Sequence, residues 1–348
     1  MHRLFFVLIS LISTSGFTAE VDNLYQSYTP VATQSEQERT AAAPEILRQV
    51  ILKVVGDRSA LDVTDISSVL SEANNLVHQY QYQRLNKRSD DLTEPDRLAL
   101  LVTFNAVSLN ESLINLGLPI WGQRPEVLLW MAIDNGKKRT ILGSETDNSL
   151  VTIIDDAADQ RGLPLILPLM DLQDQAEVKT TDIWGDFTSV ISQASQRYGS
   201  SVNLLAKVSL QSKNFSQITW RMLINGESEQ WQSRGNIDSA LQAGIEELTD
   251  RLARRFSQVI TNENTQQLSL QIDNIDDYAD YSRVMNYLSS LQYVSDIQLT
   301  SLSSGQFEVD VSLKGSLSVF NETLKVGRVL VEQDSSFNTH VIRYRLLP

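Results

Sequence analysis

The stretch "LPLILPLMDLQDQ", Leu163–Gln175, carries the reading of the fold. Its apolar run is short, holds two prolines, Pro164 and Pro168, and gives way abruptly to Asp171, Gln173 and Asp174. A run of this length bounded by proline reads as a buried strand, and the acids mark its exit. Upstream, Leu150, Ile153, Ile154, Ala157 and Ala158 recur at helical spacing, closed by Gly162. Before them lies "EVLLWMAIDN", Glu126–Asn135, a second apolar strand. Strand, helix and strand in that order predict parallel pairing with a right-handed crossover.

Working outward, Phe187, Val190, Ile191, Ala194 and Tyr198 predict another helix, closed by Gly199, and "SVNLLAKVSL" another strand. "ITWRMLINGESEQW" reads as a hairpin turning at Asn225-Gly226. Leu241, Ile245, Leu248, Leu252 and Phe256 outline a last helix. The middle region, 124–260, is therefore expected to run β-α-β-α-β-β-β-α.

The N-terminal region, 20–122, is expected to be a small α/β domain. "VDNLYQSYTPV" opens as a strand. Ile46, Leu47, Val50, Ile51, Val54 and Val55 mark a helix ended by Gly56. Ile66 through Tyr80 reads as a second helical stripe, followed by the charged loop "NKRSDDLTEPDR" and the buried strand "LALLVTFN". The C-terminal region, 265–348, follows a β-α-β-β-α-β, ferredoxin-like order, with "HVIRYRLLP" as an added edge strand and "TNENTQQ" as the linker before it. The fold class is thus α/β and α+β, in three small mixed domains.

The chain has 348 residues, 42% of them hydrophobic, enough for packed cores. Its net charge of −14 argues against a phosphate-backbone partner, so nucleic acid is not expected. "MHRLFFVLISLISTSGFTAE" has the basic start, short apolar core and small-residue end of a secretory signal peptide, residues 1–19. No later segment reads as a membrane span. The absence of cysteine closes disulfides, thiolate metal sites, thiol catalysis and a lipoprotein anchor. Export without bridges fits a bacterial periplasm.

Catalytic constellations are not legible. The three histidines, His2, His78 and His340, fall in different regions. No nucleophile elbow, P-loop or dinucleotide-binding fingerprint occurs. No catalytic residue, metal site or cofactor is assigned. Asp171 and Asp174 follow a strand of an α/β sheet, where ligands bind, yet solvated loop or cap is the plainer reading. Asp186 is expected to cap the next helix, and Asp155 and Asp156 to face solvent. All five tryptophans lie in or beside the middle region. Trp130, Trp220 and Trp231 are expected in the core. Trp184, beside Gly185 in "TTDIWGDF", is placed to serve as an interaction anchor.

On "VVGDRSAL", "LPIWGQRPEVLLWMAIDNG", "RGLPLILPLMDLQDQ", "DIWGDF" and "RYGS", the chain resembles an uncharacterised family of exported proteobacterial proteins, over about residues 20–260. The middle region is loosely similar to envelope domains of the TolB N-terminal, curli-secretion and penicillin-binding-protein-activator type. That resemblance implies protein binding and assembly rather than catalysis. The expectation is a non-enzymatic periplasmic interaction module with envelope-protein partners, contacting them through Trp184, Gly185, Asp171 and Asp174. The alternatives are a glycan or small-ligand binder using the middle-region aromatics, and a carboxylate-dependent envelope hydrolase.

Overall fold

A computed structural model describes residues 23–85, 97–146, 149–212, 214–260, 265–333 and 341–348. The signal-peptide segment, most of the charged loop, part of the linker, His2 and His340 lie outside the described residues. The first stretch folds as β1 (Gln26–Val31), α1 (Glu36–Val55), α2 (Arg58–Asp62), α3 (Ser67–Ser71), α4 (Ala73–Leu76), β2 (Val77–Leu85), β3 (Arg97–Phe104) and α5 (Ala106–Asn115). Its sheet, β1-β3-β2, is antiparallel throughout. The expected second helix stops at Leu76, and the chain continues as β2. "VHQYQYQRL" alternates with period two, and Tyr80 and Tyr82 fit a pleated strand better than a helix. Pro44 sits inside α1 and lacks the N–H that would bond the Thr40 carbonyl. Asn74 on α4 donates to that carbonyl instead, at 3.3 Å.

The middle stretch comprises β4 (Val127–Asp134), β5 (Arg139–Ile141), α6 (Ser149–Arg161), β6 (Leu165–Ile166), α7 (Leu172–Glu177), α8 (Thr180–Trp184), α9 (Thr188–Ser195), β7 (Val202–Ser212), β8 (Phe215–Ile224), β9 (Glu227–Gly235) and α10 (Ile237–Phe256). The sheet runs β5-β4-β7-β8-β9. β4 is parallel to both β6 and β7, and the rest is antiparallel. Asn225 and Gly226 both take positive φ in the β8–β9 turn, as that hairpin requires. "LPLILPL" yields only two strand residues, because the prolines beside them donate nothing to a ladder. One sheet face packs on α6 and α10 around Trp220 and Leu248. The other packs on α8 and α9 around Trp130 and Ile191.

The last stretch comprises β10 (Thr265–Ile275), α11 (Tyr278–Ser290), β11 (Val294–Ser303), β12 (Gly305–Lys314), α12 (Leu317–Gly327), β13 (Leu330–Glu332) and β14 (Val341–Leu346). The sheet order is β11-β12-β10-β14-β13. The β-α-β-β-α-β succession is present, but the C-terminal strand is not at the edge. β14 inserts beside β10, parallel to it, and displaces β13 outward. Tyr344 and Leu346 bring buried side chains to that interior position, whereas only Leu330 of β13 is buried.

The units meet through specific polar contacts. Gln258, just after α10, exchanges backbone hydrogen bonds with Ile120, and its side chain accepts from Ser316 N at 2.6 Å. Arg255 pairs with Glu322 of α12 at 2.6 Å. The tighter junction lies between the first two units. Arg124 is buried, and its Nη1 donates to the carbonyls of Arg161 (2.9 Å) and Gly162 (2.7 Å) at the end of α6. Its Nη2 donates to the carbonyls of Trp121 (3.3 Å) and of Lys53, in the last turn of α1. The guanidinium lies 4.2 Å from the Trp121 ring centre. One cation thus caps the negative ends of two helices. Burial pushes Arg124 down to about 9, which leaves it charged at neutral pH. Beside it, Arg161 donates to Gly56 O (2.6 Å) and to Asp250 (2.7 Å), and Arg58 reaches Asp250 (2.6 Å) and Glu246 (2.5 Å).

Gly56 ends α1 with φ of 79°, and an added Cβ would lie 2.4 Å from the Trp121 ring and 2.7 Å from Ala253. Gly56→Ala is therefore expected to strain the backbone and force α1 away from α10. Arg124→Met leaves four carbonyls uncapped, at a cost of about 3 kcal/mol or more. Urea denaturation is expected to show a lower midpoint for both variants, with Arg124→Met also opening the junction to limited proteolysis.

Candidate functional site

The acids after β6 are organised by one arginine. Asp171 occupies the N-cap of α7 and accepts from Asp174 N at 2.9 Å, the local preference of an Asx residue before a helical turn. Arg197, in the 3-10 turn that ends α9, grips both oxygens of Asp171 at 2.9 and 2.7 Å and reaches Asp174 at 3.0 Å. Asp174 also accepts from Met170 N at 2.9 Å and from the Tyr198 hydroxyl. That hydroxyl in turn accepts from Leu169 N at 2.9 Å.

Asp171 is partly exposed, but Asp174 is 0% exposed, which corrects the expectation that both acids enter water. A buried carboxylate is tolerated because a guanidinium, a phenol and a backbone amide all donate to it. Arg197 holds the Asp171 carboxyl far below the ordinary carboxylate range, and Asp171 raises Arg197 in return. Burial, with Asp174 as neighbour, pushes Tyr198 up to about 12. The cluster is an ion-paired latch between the β6 exit and the end of α9. A general acid would instead need a carboxyl raised toward neutrality.

Trp184 and Gly185 sit at the other end of α9. Trp184 is half-buried at the end of α8, with the Arg139 guanidinium 4.4 Å from its ring centre. Its Nε1 is buried and has no hydrogen-bond partner among the described residues. Gly185 is needed for close approach, since a Cβ there would lie 2.8 Å from the Phe187 ring. Asp186 does not cap α9. It adopts φ of 56° and bonds Lys207 (2.6 Å) and Arg221 (3.1 Å) on the sheet, and Phe187 takes the cap position. Phe187 is 54% exposed, placing an aromatic ring on the surface three residues after Trp184.

The four expected site residues therefore do not form one constellation. Two lie at each end of α9, an eight-residue helix about 12 Å long at 1.5 Å per residue. The remaining tryptophans belong to the core. Trp121, Trp130 and Trp220 are fully buried, and Trp231 stacks on Trp220 at 6.3 Å. Trp130 Nε1 donates to Ser195 (3.0 Å) and Trp220 Nε1 to Ser233 (2.8 Å), so neither ring is free to receive a sugar face. Of the histidines, the described one, His78, is exposed on β2. Among the described residues no three His, Cys, Asp or Glu side chains gather as metal ligands.

The cluster that pattern reading missed is the Arg124–Arg161–Asp250 junction. Its one local signal is Arg161-Gly162, a cation and a glycine closing the apolar stripe of α6. Arg124 itself stands between Gln123 and Pro125, where nothing local marks it as buried.

A family model for a domain of unknown function (DUF8605) matches residues 18–122. The match takes in the first sheet and ends two residues before Arg124. No curated protein matches the chain.

Asp174→Asn is expected to destabilise the fold by about 1–3 kcal/mol, because the buried site loses its charge-assisted bonds. Asp171→Asn is expected to cost less, as that carboxylate can turn to water. At Asp186, burial opposes ionisation, but Lys207 and Arg221 outweigh it and hold the carboxyl low. Asp171 and Asp186 are thus both depressed, so their contribution is full above the ordinary carboxylate value of about 4 and is lost as pH falls below it. Urea midpoints measured from pH 7 down to pH 2 are expected to show this acid loss, and Arg197→Met to remove the part due to Asp171.

Proposed function

We propose that the protein is a non-enzymatic interaction or assembly module of the bacterial cell envelope, exported to the periplasm and docking a protein partner at the "DIWGDF" surface. The observation that carries this reading is the exposed Phe187 ring in the same short segment as Trp184. Phe187 is 54% exposed, and Trp184, three residues before it, is held by Arg139 and by the core under α8. An aromatic on a preorganised segment loses little entropy on binding, the property of interface anchors.

Further features support it. Residues 1–19 have the form of a secretory signal, and the chain has no cysteine. The acids beyond β6 are engaged by Arg197 and Tyr198 in a structural latch, and Arg197 holds Asp171 low, against the general-acid role the hydrolase alternative needs there. The resemblance to exported proteobacterial proteins over about residues 20–260, and of the middle region to TolB-type envelope domains, points to assembly rather than turnover. No described helix is long and apolar enough to cross a membrane.

In-cell crosslinking of the tagged protein at native level, after cell fractionation, tests the proposal. Recovery in the periplasmic fraction and one reproducible envelope partner are expected. Phe187→Ser is expected to reduce that crosslink at least fivefold with an unchanged thermal midpoint, and Trp184→Ala to reduce it further. A crosslink indifferent to both variants would remove this surface from consideration.

A further inference from the structure

The third sheet leaves an apolar edge uncovered. β11 is its outer strand, paired on one side only, with β12. Leu299 stands opposite Val309 and Leu302 opposite Phe307, and both partners are fully buried under the helices. The two leucines share that face, yet Leu299 is 46% and Leu302 66% exposed. The aromatic side chains of α11 continue the same surface. Tyr281 packs edge-on against Phe307 at 5.1 Å, and Tyr278, 6.2 Å from Tyr281, is 80% exposed. The edge of the sheet thus carries unpaired backbone and exposed leucines on its helix-covered face.

The other, open face of the same edge is acidic. Asp296 on β11 and Glu308 and Asp310 on β12 face it, and among the described residues none of the three forms an ion pair. β9, an edge strand of the second sheet, is protected differently: its Glu227 and Glu229 are paired with Arg255 and Arg251. A free edge with unpaired backbone groups and apolar side chains on one face suits strand addition, in which the main chain supplies affinity and pockets choose alternate side chains.

We propose that the β11 edge binds an extended segment of a partner protein by strand addition, the segment alternating apolar residues with lysine or arginine. Its apolar residues cover Leu299 and Leu302, and its cations, turned to the other face by the alternation of a strand, lie along Asp296, Glu308 and Asp310. Register shifts between Val294 and Asp296 and between Leu299 and Ser301 break the outer edge into short regular runs. Such runs favour a short added strand over a long two-fold pairing with a second copy. This surface is separate from Trp184 and stands on the third sheet alone.

The probe is a fluorescein-labelled ten-residue peptide of alternating lysine and valine, read by anisotropy against the purified protein. A control of the same composition, with the valines in one block, separates strand addition from attraction to an acidic chain. The alternating peptide is expected to bind at least fivefold more tightly than the control and to slow hydrogen exchange in β11. Leu302→Lys is expected to weaken it at least tenfold, Asp296→Asn severalfold, and Trp184→Ala not at all. Equal binding of the two peptides, or binding unchanged by Leu302→Lys, would overturn the proposal. A dimer seen by sedimentation and dissolved by Leu302→Lys would overturn it as well, by making a second copy the occupant.

Discussion

A single buried cation carries the junction between the first two units. Arg124 has no carboxylate partner among the described residues, and its charge is met by four backbone carbonyls and the face of Trp121. Carbonyls at helix ends are the groups that helical hydrogen bonding leaves unsatisfied, and they carry the negative end of the helix dipole. Because the ends of α1 and α6 turn toward the same guanidinium, neither helix can move without exposing an unpaired buried charge. Gly56 lets the chain turn away beneath Trp121, and Asp250 neutralises the second arginine, Arg161. Backbone and side chain thus over-determine the relative placement of two units that each have their own core.

The same economy recurs on a smaller scale over the far face of the middle sheet. Arg197 and Tyr198 secure the β6 exit, Lys207 and Arg221 secure Asp186, and Arg139 covers Trp184. The segment from Asp171 to Phe187 contains only short helices that could not hold their shape alone. It is held instead by side chains from β5, the turn after α9, β7 and β8. This gives the exposed ring of Phe187 a rigid base, the condition for a surface aromatic to act as an anchor rather than a mobile side chain.

Most of the element types were legible wherever periodicity was long and unmixed. The stripes of α1, α6 and α10 and the turn at Asn225-Gly226 belong to this group. Reading failed where two periods overlapped or a strand was short. Ile66–Tyr80 satisfied a helical spacing, but its second half joins a strand whose partner, β3, lies beyond a charged loop. Likewise β14 has the alternation of any strand, and only its buried Tyr344 and Leu346 place it beside β10 rather than at the edge. At the candidate site, composition placed Trp184, Gly185, Asp171 and Asp174 on one segment. Their separation to the two ends of α9 depends on where Arg197 returns to meet the acids.

By itself, then, the sequence determined the mixed α/β class, the helical and strand stretches of strong period, the acidic charge and the lack of any cysteine chemistry, because these follow from local pattern and from counting. Only the tertiary structure decided that Asp174 is buried, that Asp186 bonds the sheet instead of capping a helix, that four tryptophans are core, and that Arg124 joins two helix ends. Each of those outcomes turns on a partner between 13 and 71 residues away along the chain, such as Ser233 for Trp220 or Lys53 for Arg124. Burial and pairing at that range are set by how the sheets and helices stack, and no window of neighbouring residues contains that information.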